Sequence, residues 1–213
     1  MAAAKFAAAF GESERAAEYR RTADGMKAGF ESHLWWPEMN CFARMVNRTP
    51  DGRWEMDETV DASLAGVWQF GMYPPDHPRV VGTMRAIRER LWVKTDVGGV
   101  ARYENDRYHQ VSQDVSNVPG NPWFICTLWL AEWLAASAVS SKDLAHSLEL
   151  LEWAASRALP SGVLAEQVHP YTGEPLSVSP LTWSHATYVS AVQAYLQAHR
   201  RLEGSGASIS DDR

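Results

Sequence analysis

Two kinds of helical pattern alternate along the chain. The first places apolar residues at three- and four-residue steps and charges elsewhere, which predicts amphipathic helices at residues 12–34, 77–92 and 141–158. The second is apolar almost all round, as buried helices are, and covers residues 61–70, 121–137 and 180–199. The alternation predicts pairs made of one outer and one inner helix.

The inner helices share their start signals. Asp61, Asn121 and Ser179 are each favourable N-cap residues, and Pro122 and Pro180 suit the first helical position. The three starts lie about sixty residues apart, which indicates an internal repeat. Repeated helix pairs with parallel inner helices form either a solenoid or a closed toroid of helical hairpins.

The connecting segments carry the non-helical features. Loops 93–120 and 159–179 both lead into inner helices, so we expect them to gather at one end of the bundle. Residues 41–46 and 53–56, around a turn at residues 49–52, predict one short β-hairpin.

Composition limits the classes of function. A chain of 213 residues with 46% hydrophobic residues suits one globular domain, which we assign to residues 1–202 with a small, polar, disordered tail at 203–213. The net charge of -6 disfavours nucleic acid as a partner. Neither a membrane-spanning run nor a signal peptide is visible, so we expect a cytoplasmic protein without a membrane partner. Ten Trp residues mostly indicate core packing, with a hint of a carbohydrate ligand.

Metal and cofactor chemistry lack their usual motifs. Cys41 and Cys126 stand far apart, which argues against a zinc site and a disulfide framework. His169, His185 and His199 have no ligand spacing. The chain also has no GxSxG motif, Walker loop or dinucleotide fingerprint, so we predict neither a metal nor a cofactor.

The loop at residues 98–109, with the sequence GGVARYENDRYH, is the first candidate for chemistry. A carboxylate such as Asp106 can orient the guanidinium of Arg102, which then donates a fork of hydrogen bonds to adjacent sugar hydroxyls. Tyr103 and Tyr108 flank this group. The alternative is a solvated loop with local ion pairs.

The segment at residues 159–184 is the second candidate. Its apolar approach at residues 163–165 would carry Glu166 inward, and Gln167 beside it could bind hydroxyls. The alternative is a carboxylate with a structural partner, which is also our expectation for Glu132 in the apolar helix at residues 121–137.

At these segments the sequence resembles the glucoamylase family, which is family 15 of the glycoside hydrolases. The similarity lies in RYENDRY followed by NPWFICTLWLAEW, in LAEQVHPYTGEPLSVSPLTWSHATYV, and in DASLAGVWQFGMYPPDHPRVVGTMRAIRERL. It covers residues 12 to about 202. The resemblance implies an all-α fold, an (α/α)6 toroid of which this chain is about the C-terminal half. It also implies inverting hydrolysis of terminal α-linked glucose from starch-type oligosaccharides.

The resemblance also implies roles for individual residues. Glu166 falls on the general base, and a proton-accepting carboxylate in this chemistry must be ionised. The remaining positions fall on the sugar pocket: Arg102 on the clamp for sugar hydroxyls with Tyr103 beside it, Asp106 on the carboxylate that steadies it, Gln167 on the neighbour of the base, Ser177 on a hydroxyl that orients the base, and Trp123 and Trp183 on aromatic walls.

The sequence departs from the family in lacking the general acid, the N-terminal hairpins of the toroid and the remainder of the glucose pocket. The family's general acid belongs to a Trp-Glu-Glu segment, which does not occur here, so we expect it upstream of Met1. The expected partners are therefore an oligosaccharide and the N-terminal half of the same enzyme, in cis or as a second chain, and the chain alone should be inactive. The alternatives are a non-catalytic carbohydrate-binding or scaffold fragment, a trehalase-type α-glucosidase, and a helical-repeat interaction module.

Overall fold

The computed structural model describes residues 1–207. Its helices are α1 (Ala2–Ala9), α2 (Ser13–His33), α3 (Gly66–Gln69), α4 (Pro78–Leu91), α5 (Phe124–Ser137), α6 (Ser141–Ala155) and α7 (Thr182–Ala207), with 3-10 turns at Pro37–Met39 and Ala62–Ala65. Short strands pair antiparallel as β1 (Trp35–Trp36) with β2 (Cys41–Phe42), β3 (Val46–Arg48) with β4 (Trp54–Met56), and β5 (Gln167–Val168) with β6 (Pro175–Leu176). No helix within this range is long and apolar enough to cross a membrane.

Helix α5 lies at the centre of the bundle and packs against α6 and α7. Phe124, Leu128 and Ala131 are fully buried along it, as expected for a helix that is apolar all round. The outer helices bury only a stripe, for example Leu144 and Leu151 of α6. The alternation of inner and outer helices is thus confirmed around α5.

Two long helices, α2 and α7, keep apolar residues exposed. On α7, Val189 is 56% exposed and Leu196 is 44% exposed. On α2, only part of the predicted apolar stripe is buried, since Ala16 is in the core whereas Met26 is 70% exposed. These surfaces lack a covering neighbour among the described residues.

Two of the predicted helix starts are wrong. Residues 121–123 are extended instead of helical, because Pro122 bridges to Ala101 and Trp123 bridges to Gln167. Helix α5 therefore begins at Phe124, and α7 begins at Thr182, after the cis Ser179–Pro180 bond. Pairing with distant segments outweighs the local capping signals.

The third start signal is correct, but the helix is short. The side chain of Asp61 accepts a hydrogen bond from the backbone N–H of Ser63 at 2.9 Å. A 3-10 turn follows, and α3 ends at Gln69. The predicted helix at residues 61–70 is thus a 3-10 turn joined to a single α-helical turn.

Two further expectations change in detail. The single predicted hairpin exists as β3–β4, but Cys41–Phe42 pairs with Trp35–Trp36 instead, and β5–β6 is an additional hairpin. Helix α7 continues to Ala207, so residues 203–207 of the predicted tail are helical, because the preceding turns supply the carbonyl groups for propagation. The rest of that tail lies outside the described residues.

Candidate active site

Extended segments lie side by side at the ends of the inner helices. The N–H of Ala62 donates to the carbonyl of Arg102 at 2.8 Å, and that of Trp123 donates to the carbonyl of Val100 at 2.9 Å. The next segment joins through the N–H of Val168, which donates to the carbonyl of Pro122 at 3.0 Å. These bonds bring loop 98–109 and the segment around Glu166 to the same end of the bundle, which we call the rim.

Arg102 is held by a two-pronged ion pair. Its Nε lies 2.9 Å from Oδ2 of Asp106, and its Nη2 lies 2.8 Å from Oδ1. Asp106 is almost fully buried. Burial alone would lower the pKa of Arg102, but the hydrogen bonds and charge of Asp106 outweigh it, so the pKa lies above its ordinary value. Arg102 is therefore a fixed, permanently charged donor.

Aromatic rings surround the same guanidinium. Its carbon lies 4.8 Å from the ring centre of Tyr103, 5.2 Å from that of Tyr108 and 4.7 Å from that of Trp123. Each arrangement is a cation–π contact, which restricts the side chain further. Trp123 is almost fully buried, and its Nε1 has no hydrogen-bond partner among the described residues.

Glu166 is oriented by two side-chain donors. The hydroxyl of Ser177 lies 2.5 Å from Oε2, and Nε2 of Gln167 lies 3.2 Å from the same oxygen. Among the described residues Oε1 has no hydrogen-bond partner, which leaves one oxygen free to accept a proton. Ser177 has a left-handed backbone with φ of 65°, a conformation that is costly for a residue with a Cβ.

The structure changes the position expected for Gln167. Its side chain is fully buried, and its Oε1 accepts a hydrogen bond from Nδ2 of Asn121 at 2.9 Å. Both ends of its amide are therefore used, one by Glu166 and one by Asn121. Gln167 supports the carboxylate from behind and does not line the cavity.

The site opens into a cavity of about 370 Å³. Its walls are Asp61, Ser63, Arg102, Tyr103, Trp123, Ile125, Cys126, Trp129, Glu166 and Trp183. Five of the predicted site residues are thus brought together, whereas Asp106, Gln167 and Ser177 lie behind them. Half-exposed Trp183 contacts Trp129 edge to face, with ring centres 5.8 Å apart.

Several wall residues were not predicted. Asp61 carried a helix-start signal, which places it at the rim, but Trp129 and Cys126 lie in a helix that is apolar on every side. Periodicity cannot show which face of such a helix meets a cavity. Burial raises the pKa of the Cys126 thiol well above its ordinary value, which disfavours a nucleophilic role.

Asp61 is already engaged by a cation. Arg44 lies 3.4 Å from Asp61 and 2.9 Å from Asp57, and its guanidinium carbon lies 5.1 Å from the ring centre of Tyr103. Burial disfavours ionisation of Asp57, but hydrogen bonds from Thr59 and Arg44 outweigh it and lower its pKa. The Asp61 carboxylate therefore acts as an acceptor in this network.

Glu132 lies outside the cavity walls, as expected. It is buried and accepts a hydrogen bond from Nε2 of Gln69 at 2.7 Å. Burial raises its pKa above the ordinary value, against opposing hydrogen bonds from Ser190 and Gln69. The described residues contain no cluster of three or more His, Cys, Asp or Glu that could hold a metal ion.

Comparison with known proteins gives the family. Residues 1–193 match Glycosyl hydrolases family 15. The chain belongs to this family. It is 32% identical over 203 residues to a trehalase of Mycobacterium tuberculosis, covering 95% of this chain and 27% of that protein. It is 30% identical over 155 residues to a glucoamylase of a Clostridium species, covering 72% of this chain and 22% of that protein.

A solved structure shows the fold of this family 15 chain. A bacterial glucoamylase complexed with acarbose superposes with a TM-score of 0.74 at 22% identity, covering 92% of this chain and 31% of that one. The predicted all-α class, part of an (α/α)6 toroid, is confirmed. The chain spans less than a third of the length of each of these relatives.

Proposed function

We propose that this chain supplies the general base and part of the sugar pocket for inverting, exo-acting hydrolysis of terminal α-linked glucose. The observation that carries the proposal is the shared cavity of Glu166 and Arg102. Glu166 places a carboxylate oxygen in the cavity, and Arg102 places a fixed hydrogen-bond donor there. Trp123 and Trp183 supply apolar walls for the face of a sugar ring.

The geometry of Glu166 suits activation of a water molecule. Ser177 and Gln167 hold Oε2, which leaves Oε1 to accept the proton of water attacking the anomeric carbon. In an inverting enzyme the acid stands roughly 6.5–9.5 Å away, across the glycosidic bond. Arg102 would bind the hydroxyls of the terminal sugar and hold its anomeric carbon near that water.

The general acid is proposed to come from outside this chain. The other carboxylate on the cavity wall is Asp61, which is engaged by Arg44 and by the N–H of Ser63. An acceptor of these donors is poorly placed to carry and donate a proton. A partner segment, the N-terminal half of the toroid in cis or as a second chain, would supply the acid.

Exposed apolar surface supports such a partner. Val189 and Leu196 on α7, and Met26 on α2, are exposed. Large exposed apolar surfaces mark interfaces or favour association. We infer that the N-terminal half covers them, and that the chain alone is inactive.

Two substrates with different α-glucosidic linkages are candidates. Starch-type α-glucan is supported by the likeness to a glucoamylase, and trehalose is supported by the trehalase relative that aligns over 95% of this chain. Both substrates present a terminal α-linked glucose to the same pocket. Rates on maltose, maltodextrin and trehalose in one preparation would decide between them.

The test uses the chain joined to the N-terminal half. NMR immediately after mixing with substrate should show the β-anomer of glucose released first. Glu166→Gln should lower turnover by about 10²-fold or more with sugar affinity largely kept, because it removes the proton acceptor and keeps the shape. Glu174→Gln, the same change at an exposed position on hairpin β5–β6, is the matched control. The α-anomer first, or normal turnover of Glu166→Gln, would contradict the assignment. Sugar binding without turnover would favour the non-catalytic alternative.

A further inference from the structure

Most of the ten Trp side chains are buried or half-buried, and two are exposed. One of these is Trp183, which lines the cavity. The other is Trp54, which is 58% exposed and takes no part in the site described above. An exposed indole leaves a large apolar face in water, so its position needs an explanation.

Trp54 lies on a hydrogen-bonded hairpin. It stands opposite Arg48 in the register of β3 and β4. The turn between them is closed by the N–H of Thr49, which donates to the carbonyl of Arg53 at 2.9 Å, and by the N–H of Gly52, which donates to Thr49 at 2.8 Å. The backbone that carries the ring is therefore fixed, so little backbone entropy is lost on binding a ligand.

Groups with hydrogen-bonding capacity surround the indole. The guanidinium carbon of Arg48 lies 5.9 Å from its ring centre, and the imidazole of His33 lies 5.2 Å away, tilted by 35°. Arg48 is exposed, and no ion pair of the described residues involves it. An aromatic face beside free planar donors matches a pyranose, which has apolar C–H faces and hydroxyls at its edges.

The hairpin is attached to the cavity wall. Arg44, just before β3, binds both Asp57, just after β4, and Asp61 on the wall. From Arg44 to Arg48, the partner of Trp54, the chain advances four residues, which is at most about 13 Å at the rise of a strand. Trp54 is thus joined to the cavity wall through a short stretch of paired chain, and an oligosaccharide of several units that leaves the cavity on this side would reach it.

We propose that hairpin β3–β4 is a second carbohydrate contact, on which Trp54, Arg48 and His33 bind glucosyl units of an α-glucan outside the cavity. The identity of the sugar rests on the proposed function, but the contact itself requires no catalysis. The charged residues Asp51, Arg53 and Glu55 at and near the turn disfavour insertion into lipid. The hairpin thereby favours longer glucans over disaccharides.

The test is affinity electrophoresis of the full chain through native gels with and without soluble starch. We expect starch to retard the chain, and Trp54→Ala to weaken the apparent affinity by roughly tenfold, the scale of losing a principal aromatic contact. Trp54→Phe keeps a ring and should retain part of the affinity. Phe70→Ala removes an even more exposed aromatic side chain, 86% exposed, at the end of α3 and is the matched control. Circular dichroism verifies that each variant is folded.

Each outcome decides the proposal. Loss of retardation in Trp54→Ala, with retention in Phe70→Ala, supports it. The proposal is overturned if starch does not retard the unsubstituted chain, or if it retards Trp54→Ala equally. It is also overturned if Trp54→Ala changes only the association with the N-terminal half, which would indicate a protein contact. Retardation by starch requires no turnover, whereas the catalytic base is tested by the turnover of Glu166→Gln in the assembled enzyme. Failure of the hairpin contact and failure of the proposed catalytic base are therefore separately visible.

Discussion

Arg102 and Asp106 form a fork in which two guanidinium nitrogens bind two carboxylate oxygens at 2.9 and 2.8 Å. The carboxylate is buried, whereas the guanidinium side chain is 33% exposed and faces the cavity. The buried carboxylate of Asp106 therefore holds the guanidinium of Arg102 in one position at the cavity wall.

The buried half of this pair should matter for stability. Asp106→Asn removes the charge and one of the two acceptors, so we expect the free energy of unfolding to fall by about 2 kcal/mol, since hydrogen bonds to charged groups contribute roughly 1.5–3 kcal/mol. Urea unfolding followed by circular dichroism measures this. The control is Glu12→Gln, which breaks the exposed Arg15–Glu12 pair and should change stability by at most about 0.5 kcal/mol. Equal effects at both sites would show that burial of Asp106 is unimportant.

Arg102, the exposed member of the pair, should contribute to substrate binding and turnover. Arg102→Ala in the assembled enzyme should lower kcat/KM by roughly tenfold to a hundredfold, because a charged donor to sugar hydroxyls is lost. Arg102→Lys should recover little, since a single ammonium cannot reproduce the fork. Arg107→Ala, on the same loop at an exposed position, should leave kcat/KM unchanged. Equal values of kcat/KM for Arg102→Ala and Arg107→Ala in steady-state kinetics would show that Arg102 forms an ordinary surface ion pair without a role in substrate binding.

Ser177 is expected to act as a positioning residue for Glu166. Ser177→Ala removes the donor to Oε2, so kcat of the assembled enzyme should fall by roughly tenfold while KM changes little. Ser177→Gly removes the same hydroxyl but also relieves the left-handed backbone. The two variants should therefore be equally slow, with the glycine variant the more stable. A change confined to KM would indicate a direct contact of Ser177 with substrate instead.

Glu132 should make stability depend on pH. Its pKa is raised by burial in the folded state, so above the ordinary range of a glutamate the folded protein keeps a proton that the unfolded chain has lost. Below the ordinary pKa range of a glutamate, Glu132 is protonated in both states and does not lower the free energy of unfolding. As the pH rises from that range towards the folded-state pKa, the free energy of unfolding falls. Glu132→Gln should thus raise the unfolding midpoint at pH 7, and the gain should vanish near pH 4. Thermal unfolding across this range measures it, and a pH-independent difference would refute the burial argument.

The sequence by itself determined most of the long helices, the rim and the family. The spacing of apolar residues located α2, α4 and α6, because a periodicity of 3.6 residues depends only on local geometry, and the continuous apolar run located α5. The motifs around Arg102 and Glu166 identified both sides of the cavity, because chemistry of this kind requires particular side chains in a particular order. Family membership followed from those motifs and is confirmed by the comparison.

Only the tertiary structure decided which groups face the cavity. Gln167 lies behind Glu166 because Asn121, distant in sequence, binds the other end of its amide. Trp129 and Cys126 reach the wall because α7 and the rim segments leave one face of α5 open, a choice that a uniformly apolar helix does not encode. The starts of α5 and α7 moved for a related reason. Before α5 the N–H of Trp123 donates to the carbonyl of Val100, and before α7 the N–H of Leu181 donates to the carbonyl of Leu164. These bonds join segments far apart in sequence and outweigh the capping signals that a sequence can display.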